Sequence, residues 1–257
     1  MILAAGLGTR LRPLTDTRPK ALVEVAGRTL LEITLTRLRT FGITEVIVNV
    51  HHFADMVIDY LKSNNNFGMR IEISREDVLL DTGGGLKKAS WFFLEDPSHL
   101  DEPFLLHNVD VISSIDLRAM LQFHAENQAI ATLAVQSREN SRPLLFDDHL
   151  QLCGRRIDNK NTVISSPHHT VISSEARNLS SIPFQTLAFS GIHVISPRLL
   201  PLLTEEGIFS TIPSYLRLSA QGQKILAFRA DNYYWRDLGR PSDLAQAAID
   251  LQQNAFL

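Results

Sequence analysis

The chain has 257 residues, 44% of them hydrophobic, which is enough to bury a large core and sits at the upper end of what one α/β domain occupies. A net charge of −3 supplies no global basic field, which argues against nucleic acid or an anionic membrane surface as a partner. Cys153 is the only cysteine, so an internal disulfide framework and a multi-thiolate metal site are excluded; with no apolar run of the ~18 residues that a membrane span needs, and no signal-peptide hydrophobic region, the chain reads as cytoplasmic.

In chain order, Met1–Ala5 reads as a short apolar strand, followed by a loop that Pro13 and Pro19 should keep extended until about Arg28. Apolar residues from Leu30 to Phe41 recur at helical spacing, with Gly42 as the C-cap. A buried strand is expected at Val46–Val50, a helix at Ala54–Leu61 and an alternating strand at Arg70–Ser74. A loop at Asp81–Gly85 should lead into a helix near Leu86–Leu94, and Phe104–Asn108 should be the next buried strand. Further helices are expected near Ile115–Glu126, Pro197–Leu203, Thr211–Ala220 and from Pro241 onward, with strands near Ala129–Gln136, Leu187–Ile195 and Lys224–Arg229. Such alternation predicts a single domain over 1–257, built on a sheet with crossover helices. One Ser-, Asn- and His-rich run at about 158–183, in which Thr162-Val-Ile-Ser-Ser166 recurs as Thr170-Val-Ile-Ser-Ser174, reads as a surface insertion. Its His168-His169 pair has no accompanying cluster of ligands, so no metal site is expected there.

The most informative stretch is the first. Leu3-Ala-Ala-Gly-Leu-Gly-Thr-Arg-Leu-Arg-Pro-Leu-Thr15 and Pro19-Lys20 put glycines and four cations directly after a strand, a composition suited to cradling a triphosphate. Gly6 and Gly8 tolerate dihedrals that bulkier residues resist, while Arg10 and Lys20 supply charge. A dinucleotide fingerprint would need a third glycine at Leu11, and a Walker A loop would need Gly-Lys-Ser/Thr entering a helix; neither is present.

This string resembles the signature of the sugar-phosphate nucleotidyltransferases, also called nucleotide-sugar pyrophosphorylases. The resemblance implies a Rossmann-like α/β three-layer sandwich with a mixed, mostly parallel sheet. It also implies transfer of a nucleotidyl group from a nucleoside triphosphate to a sugar 1-phosphate, with pyrophosphate as the other product. The hexapeptide repeats of the β-helix domain that some members carry are not found after residue 240. Within the family, the compact length and the Asp81-Thr-Gly-Gly-Gly85 string look most like enzymes that charge N-acetylmuramate 1-phosphate in cell-wall recycling with a uridylyl group. They are also similar to those that charge mannose or heptose 1-phosphate with a guanylyl group.

Both reactants are anionic, so a divalent cation is the first requirement, and Mg²⁺ usually takes one or two protein carboxylates. Asp110, just past the strand Phe104–Asn108, and Asp237, in the Trp235-Arg-Asp-Leu-Gly239 string, match the family's metal-binding aspartates. By the same resemblance Leu3, Ala4, Ala5, Gly6, Gly8 and Thr9 hold the nucleotide together with Asp81, Thr82, Gly83 and Gly84 at the base, and Asn108 and Gly191 face the sugar. Arg10 and Lys20 neutralise the triphosphate and the transition state, Thr15 structures the loop, and Arg12 and Arg18 are solvated or paired with surface acids. An ionised Asp81 offers acceptors only, which suits guanine or uracil and disfavours adenine and cytosine, so UTP or GTP is expected. Two rivals remain open: a cytidylyltransferase acting on a non-sugar phosphate such as phosphocholine, and a catalytically silent nucleotide-sugar-binding homologue. Neither the sugar nor the oligomeric state is legible.

Overall fold

The computed structural model describes residues 1–95, 100–157, 160–163 and 184–253. The elements, in order, are β1 (Ile2–Leu3), β2 (Glu24–Val25), β3 (Arg28–Thr29), α1 (Leu30–Thr40), β4 (Glu45–Val50), α2 (Ala54–Ser63), β5 (Arg70–Arg75), α3 (Asp81–Lys88), α4 (Trp91–Leu94), β6 (Phe104–Asn108) and β7 (Val111–Ser113). There follow α5 (Leu117–Asn127), β8 (Ala131–Gln136), β9 (Leu144–Phe146), β10 (Leu152–Ile157), β11 (Lys160–Val163), β12 (Gln185–Ile195), α6 (Thr211–Ala220), β13 (Ile225–Arg229), β14 (Trp235–Asp237) and α7 (Pro241–Gln252).

The central sheet is mixed and mostly parallel. β5, β4, β1 and β6 run parallel side by side; β12 lies antiparallel to β6 and to β8, and β8 pairs in parallel with β13. Along β4 the side chains of Val46, Val48 and Val50 enter one core while Ile47 enters the other, and Leu105 and Leu106 of β6 divide in the same way. Burial on both faces is why these strands read as continuous apolar runs. One core packs against Leu30, Leu31, Leu35 and Leu38 of α1, Val57 and Leu61 of α2 and Leu244 and Ala247 of α7; the other packs against Leu86 of α3 and Tyr215 and Leu218 of α6. The expected three-layer sandwich is therefore present.

Local signals explain several boundaries. The Thr29 hydroxyl accepts the Glu32 amide at 3.0 Å to cap α1, and Gly42 ends it at φ 85. Asp116 caps α5 by accepting the amides of Arg118 and Ala119.

Three expectations are corrected. The segment before Arg28 is not extended: it folds into short 3₁₀ turns at Thr9–Leu11, Leu14–Asp16 and Lys20–Leu22, then the β2–β3 hairpin, because proline at a turn's start needs no amide hydrogen bond. Pro197–Leu202 is a 3₁₀ rather than an α-helical segment. Asp81–Gly85 is not a loop but the first turns of α3. Three glycines in a helix cost roughly 1 kcal/mol each relative to alanine, and close packing offsets this. A Cβ on Gly84 would stand 2.5 Å from the Gly207 carbonyl, and one on Gly85 would stand 2.7 Å from Glu76 Oε1. The strand pairs β2–β3 and β7–β14, at two or three residues each, are too short to carry a periodic signal. Of the expected insertion at 158–183, only Lys160–Val163 is described, paired antiparallel with β10; the remainder, with His168-His169, lies outside the described residues. Among the described residues no helix is long and apolar enough to cross a membrane.

Candidate active site

The site lies at the carboxyl ends of the parallel strands, where open α/β sheets hold their ligands. After β1 the chain turns on Gly8, whose φ of 65 is left-handed, while the Thr15 hydroxyl donates to the Gly8 carbonyl at 2.9 Å. A side chain on Gly8 would meet Thr15 Cγ2 at 2.9 Å and Lys20 Cβ at 3.1 Å, so the glycine lets the loop fold tightly over Lys20. Gly6 is different from what its sequence suggests: it needs no left-handed dihedral, and the space where a Cβ would sit is open. Arg12 pairs with Asp16 at 3.2 Å on the surface, outside the site, as expected.

Asp110 and Asp237 are brought together by the β7–β14 ladder, in which Asp237 lies opposite Val111 and the Leu238 amide donates to the Asp110 carbonyl at 2.7 Å. Lys20, only 9% exposed, ion-pairs with Asp110, and Arg10 Nη2 lies 3.9 Å from Asp237 Oδ1. Gly239 is less a turn residue than a gap. A Cβ there would stand 2.5 Å from both Arg10 Nη2 and Asp237 Oδ1. Burial, and next the like charge of Asp110, hold the Asp237 carboxyl above its ordinary range; Lys20 and Arg10 act in the opposite sense.

Two cavities meet here. The first, about 330 Å³, is lined by Leu3, Ala5, Gly6, Asn49, Leu79, Asp81, Thr82, Asn108 and Ile208. The second, about 690 Å³ and mainly polar, is lined by Arg10, Asn108, Arg138, Gly191, Trp235, Asp237 and Arg240 among others. Asn108 borders both. Gly191 sits at an irregularity of β12 with φ 74, and a side chain there would strike Asn108 Nδ2 at 2.9 Å; the two expected sugar-facing residues are thus adjacent.

The expected base-reading glycines do not line the first cavity. Gly83 and Gly84 are buried and donate their amides to the Phe209 carbonyl at 2.8 and 3.1 Å, so their backbone is committed to the protein itself. Asp81 and Thr82 do line it. Asp81 is exposed, at φ 61, with one oxygen accepting the Thr82 amide at 2.6 Å.

Three contributors carry no sequence motif. Glu76 is 2% exposed, accepting from Asn49 Nδ2 at 2.7 Å and from the Leu80 amide at 2.9 Å, while Asn49 Oδ1 accepts the Ala4 amide at 2.7 Å. This chain of bonds ties the cradle to the start of α3. Arg138 lies over the Trp235 indole, 3.6 Å from its centroid, and donates to the Phe189 carbonyl at 2.6 Å, while Trp235 Nε1 donates to the Ser190 carbonyl at 2.7 Å. Ile208, discussed below, comes from a turn just before α6. His51, at the end of β4, bonds the Glu76 carbonyl at 2.8 Å and is structural.

The profile of the nucleotidyl transferase family matches residues 1–144. The chain is 32% identical over 247 residues to the N-acetylmuramate alpha-1-phosphate uridylyltransferase of Caulobacter vibrioides, covering 94% of this chain and 91% of that protein. It is 28% identical over 244 residues to the mannose-1-phosphate guanyltransferase of Yarrowia lipolytica, covering 95% of this chain but only 61% of that longer protein. Among solved structures, HddC from Yersinia pseudotuberculosis aligns with a TM-score of 0.73 at 20% identity over 97% of each chain. A UDP-glucose pyrophosphorylase complexed with UDP-glucose aligns at 0.74 and 16% identity, over 98% of this chain and 97% of that one. At such identities the structural likeness bears on the fold alone, and it is the sequence match across the cradle and the strand leading to Asp110 that identifies this chain as a member of the nucleotidyl transferase family.

Proposed function

We propose that the protein joins a sugar 1-phosphate to UTP or GTP, yielding a nucleoside diphosphate sugar and pyrophosphate. The observation that carries this reading is the meeting of Lys20–Asp110 and Arg10–Asp237 where two cavities share Asn108. The smaller cavity suits a nucleobase and the larger polar one a phosphorylated sugar. A phosphate oxygen of the sugar 1-phosphate forms a bond to the α-phosphorus as the bond to the β-phosphate oxygen breaks, and pyrophosphate leaves with the electron pair. No protein nucleophile is required, so positioning and charge neutralisation supply the rate.

The residues fit a Mg²⁺ ion. Asp110 and Asp237 stand at neighbouring ends of one ladder, and their mutual repulsion contributes to the raised affinity of Asp237 for a proton, a cost that a bound cation would relieve. Mg²⁺ usually takes only one or two protein carboxylates and completes its shell with water and phosphate oxygens, which a pair of aspartates suits. Bound there, the ion would offset the phosphate charge as it redistributes. Arg10 at the mouth can fork onto phosphate oxygens. Lys20 holds Asp110 in place and supplies a buried positive charge beside the two carboxylates.

Asp81 lines the smaller cavity with carboxylate acceptors, which suit the ring N–H that uracil and guanine present and that adenine and cytosine lack, and this favours UTP or GTP. The N-acetylmuramate 1-phosphate and mannose 1-phosphate specificities of the relatives make these acceptors the first to try. The test is pyrophosphate release from the four common triphosphates against a panel of sugar 1-phosphates, with and without Mg²⁺. Release with UTP or GTP that stops on chelation is the expected result. A preference for CTP with phosphocholine, or no turnover of any pair, would overturn the reading.

A further inference from the structure

We infer that Ile208, on the Gly207–Phe209 turn, forms the outer wall of the nucleobase pocket and sets affinity for the triphosphate without selecting the base. The inference rests on the nucleotidyltransfer reading and concerns a residue to which neither the sequence motifs nor the cradle assign a role.

Ile208 is 65% exposed, the most exposed of the large hydrophobic side chains among the described residues, yet it borders the 330 Å³ cavity with Leu3, Leu79 and Asp81. An aliphatic side chain held in water at the lip of a pocket gains most from a flat apolar surface that covers it. The turn that presents it is rigidly fastened. Gly207 takes a left-handed φ of 68, the Phe209 amide donates to the Leu80 carbonyl at 3.1 Å, and the Phe209 carbonyl accepts from both Gly83 and Gly84. On the upstream side Glu205 accepts from Arg217 at 2.8 and 2.9 Å, and its carbonyl accepts from Lys87 Nζ at 2.7 Å. Downstream, the Thr211 amide donates to the Thr82 hydroxyl at 3.0 Å.

The glycines of α3 thus have a different purpose from approach to the base. Gly83 and Gly84 let the Gly207–Phe209 turn sit directly on the helix, Gly85 makes room for Glu76 and Asn49, and the turn places Ile208 over the pocket. An aliphatic wall contacts the face of any base, whereas the edge is read by Asp81 and its neighbours, so the two residues should separate affinity from discrimination.

The test compares Ile208→Ala, Ile208→Leu and Asp81→Asn in steady-state assays with UTP and GTP at saturating sugar 1-phosphate. Ile208→Ala should raise KM for each triphosphate about fivefold to tenfold, consistent with loss of part of one aliphatic contact. It should leave kcat and the UTP/GTP preference unchanged, and Ile208→Leu should recover most of the loss. Asp81→Asn should instead alter the UTP/GTP ratio. A wild-type enzyme that turns over but whose KM is indifferent to Ile208→Ala defeats this inference alone, as does a shift in base preference in that variant. If no triphosphate reacts with any sugar 1-phosphate, the nucleotidyltransfer reading fails and the wall falls with it.

Discussion

Two glycine-bearing segments, Gly6–Lys20 and Asp81–Gly85, look alike in the sequence and behave in opposite ways in the fold. In the first, Gly6 leaves an open space beside a cavity, and the charged side chains that follow meet Asp110 and Asp237. In the second, the glycines are buried, Gly83 and Gly84 under Phe209 and Gly207 and Gly85 against Glu76 and Asn49. A missing side chain can therefore admit a ligand or admit another part of the same chain, and only the partner distinguishes them. The first segment should govern turnover and the second stability, and substitutions can separate the two.

The largest effect is expected at the carboxylates that the first segment meets. Asp110→Ala or Asp237→Ala should lower kcat by on the order of 10²-fold or more, the scale of losing one preorganised electrostatic stabiliser; the melting temperature of Asp237→Ala should stay close to wild type, whereas Asp110→Ala, which removes the partner of the buried Lys20, should lower it as well. Near-normal turnover at saturating Mg²⁺ in either variant would remove that residue from the reaction. Arg10→Lys keeps the charge but not the fork, and kcat should fall on the order of tenfold; equal kinetics would reduce Arg10 to a diffuse field.

Gly84→Ala probes the second segment. Its methyl group would press on the Gly207 carbonyl, backbone that cannot rotate away, so a loss of about 1–3 kcal/mol is expected from overpacking. Thermal unfolding should register this as a drop of several degrees. Gly6→Ala is the matched control, with no atom within 4 Å of its new methyl. Its melting temperature should be unchanged while KM for the triphosphate rises, and a melting drop equal to that of Gly84→Ala would erase the contrast between the segments.

The smallest effect concerns pH and reaches the fold through the layer that contains α3 and α6. Burial holds His193 at about 3, well under the ordinary 6.5, where its ring bonds the Tyr215 hydroxyl at 2.9 Å. The unfolded chain takes up this proton as pH falls through 6.5 and the folded chain does not, so the contribution to stability is complete above 6.5 and is lost progressively towards 3. The melting temperature should decline on acidification over that window, and His193→Gln should make the decline shallower. An unchanged slope would show that other groups dominate.

Much of this was legible beforehand. The regular helices and long strands follow from periodicity, and Arg10, Lys20, Asp110, Asp237, Asn108 and Gly191 do gather at one place. What escaped has a common physical cause. Glu76 belongs to no motif, and its place in the site arises only from the bonds it accepts from Asn49 and the Leu80 amide. The α3 glycines read as a ligand loop because nothing local announces that Phe209, Gly207 and Glu76 will fill the space beside them. Arg138 and Ile208 belong to no string, and their roles arise only from what the fold lays beside them.

The pairing of β7 with β14 bears on how the enzyme is made. The cradle, Lys20 and Asp110 leave the ribosome first, and Asp237 follows 127 residues after Asp110. A nascent chain therefore has its triphosphate loop before it has its second carboxylate. On the proposed reading, activity arises only once β14 has paired with β7, and an abortive product that stops short of β14 would lack the second carboxylate and be silent.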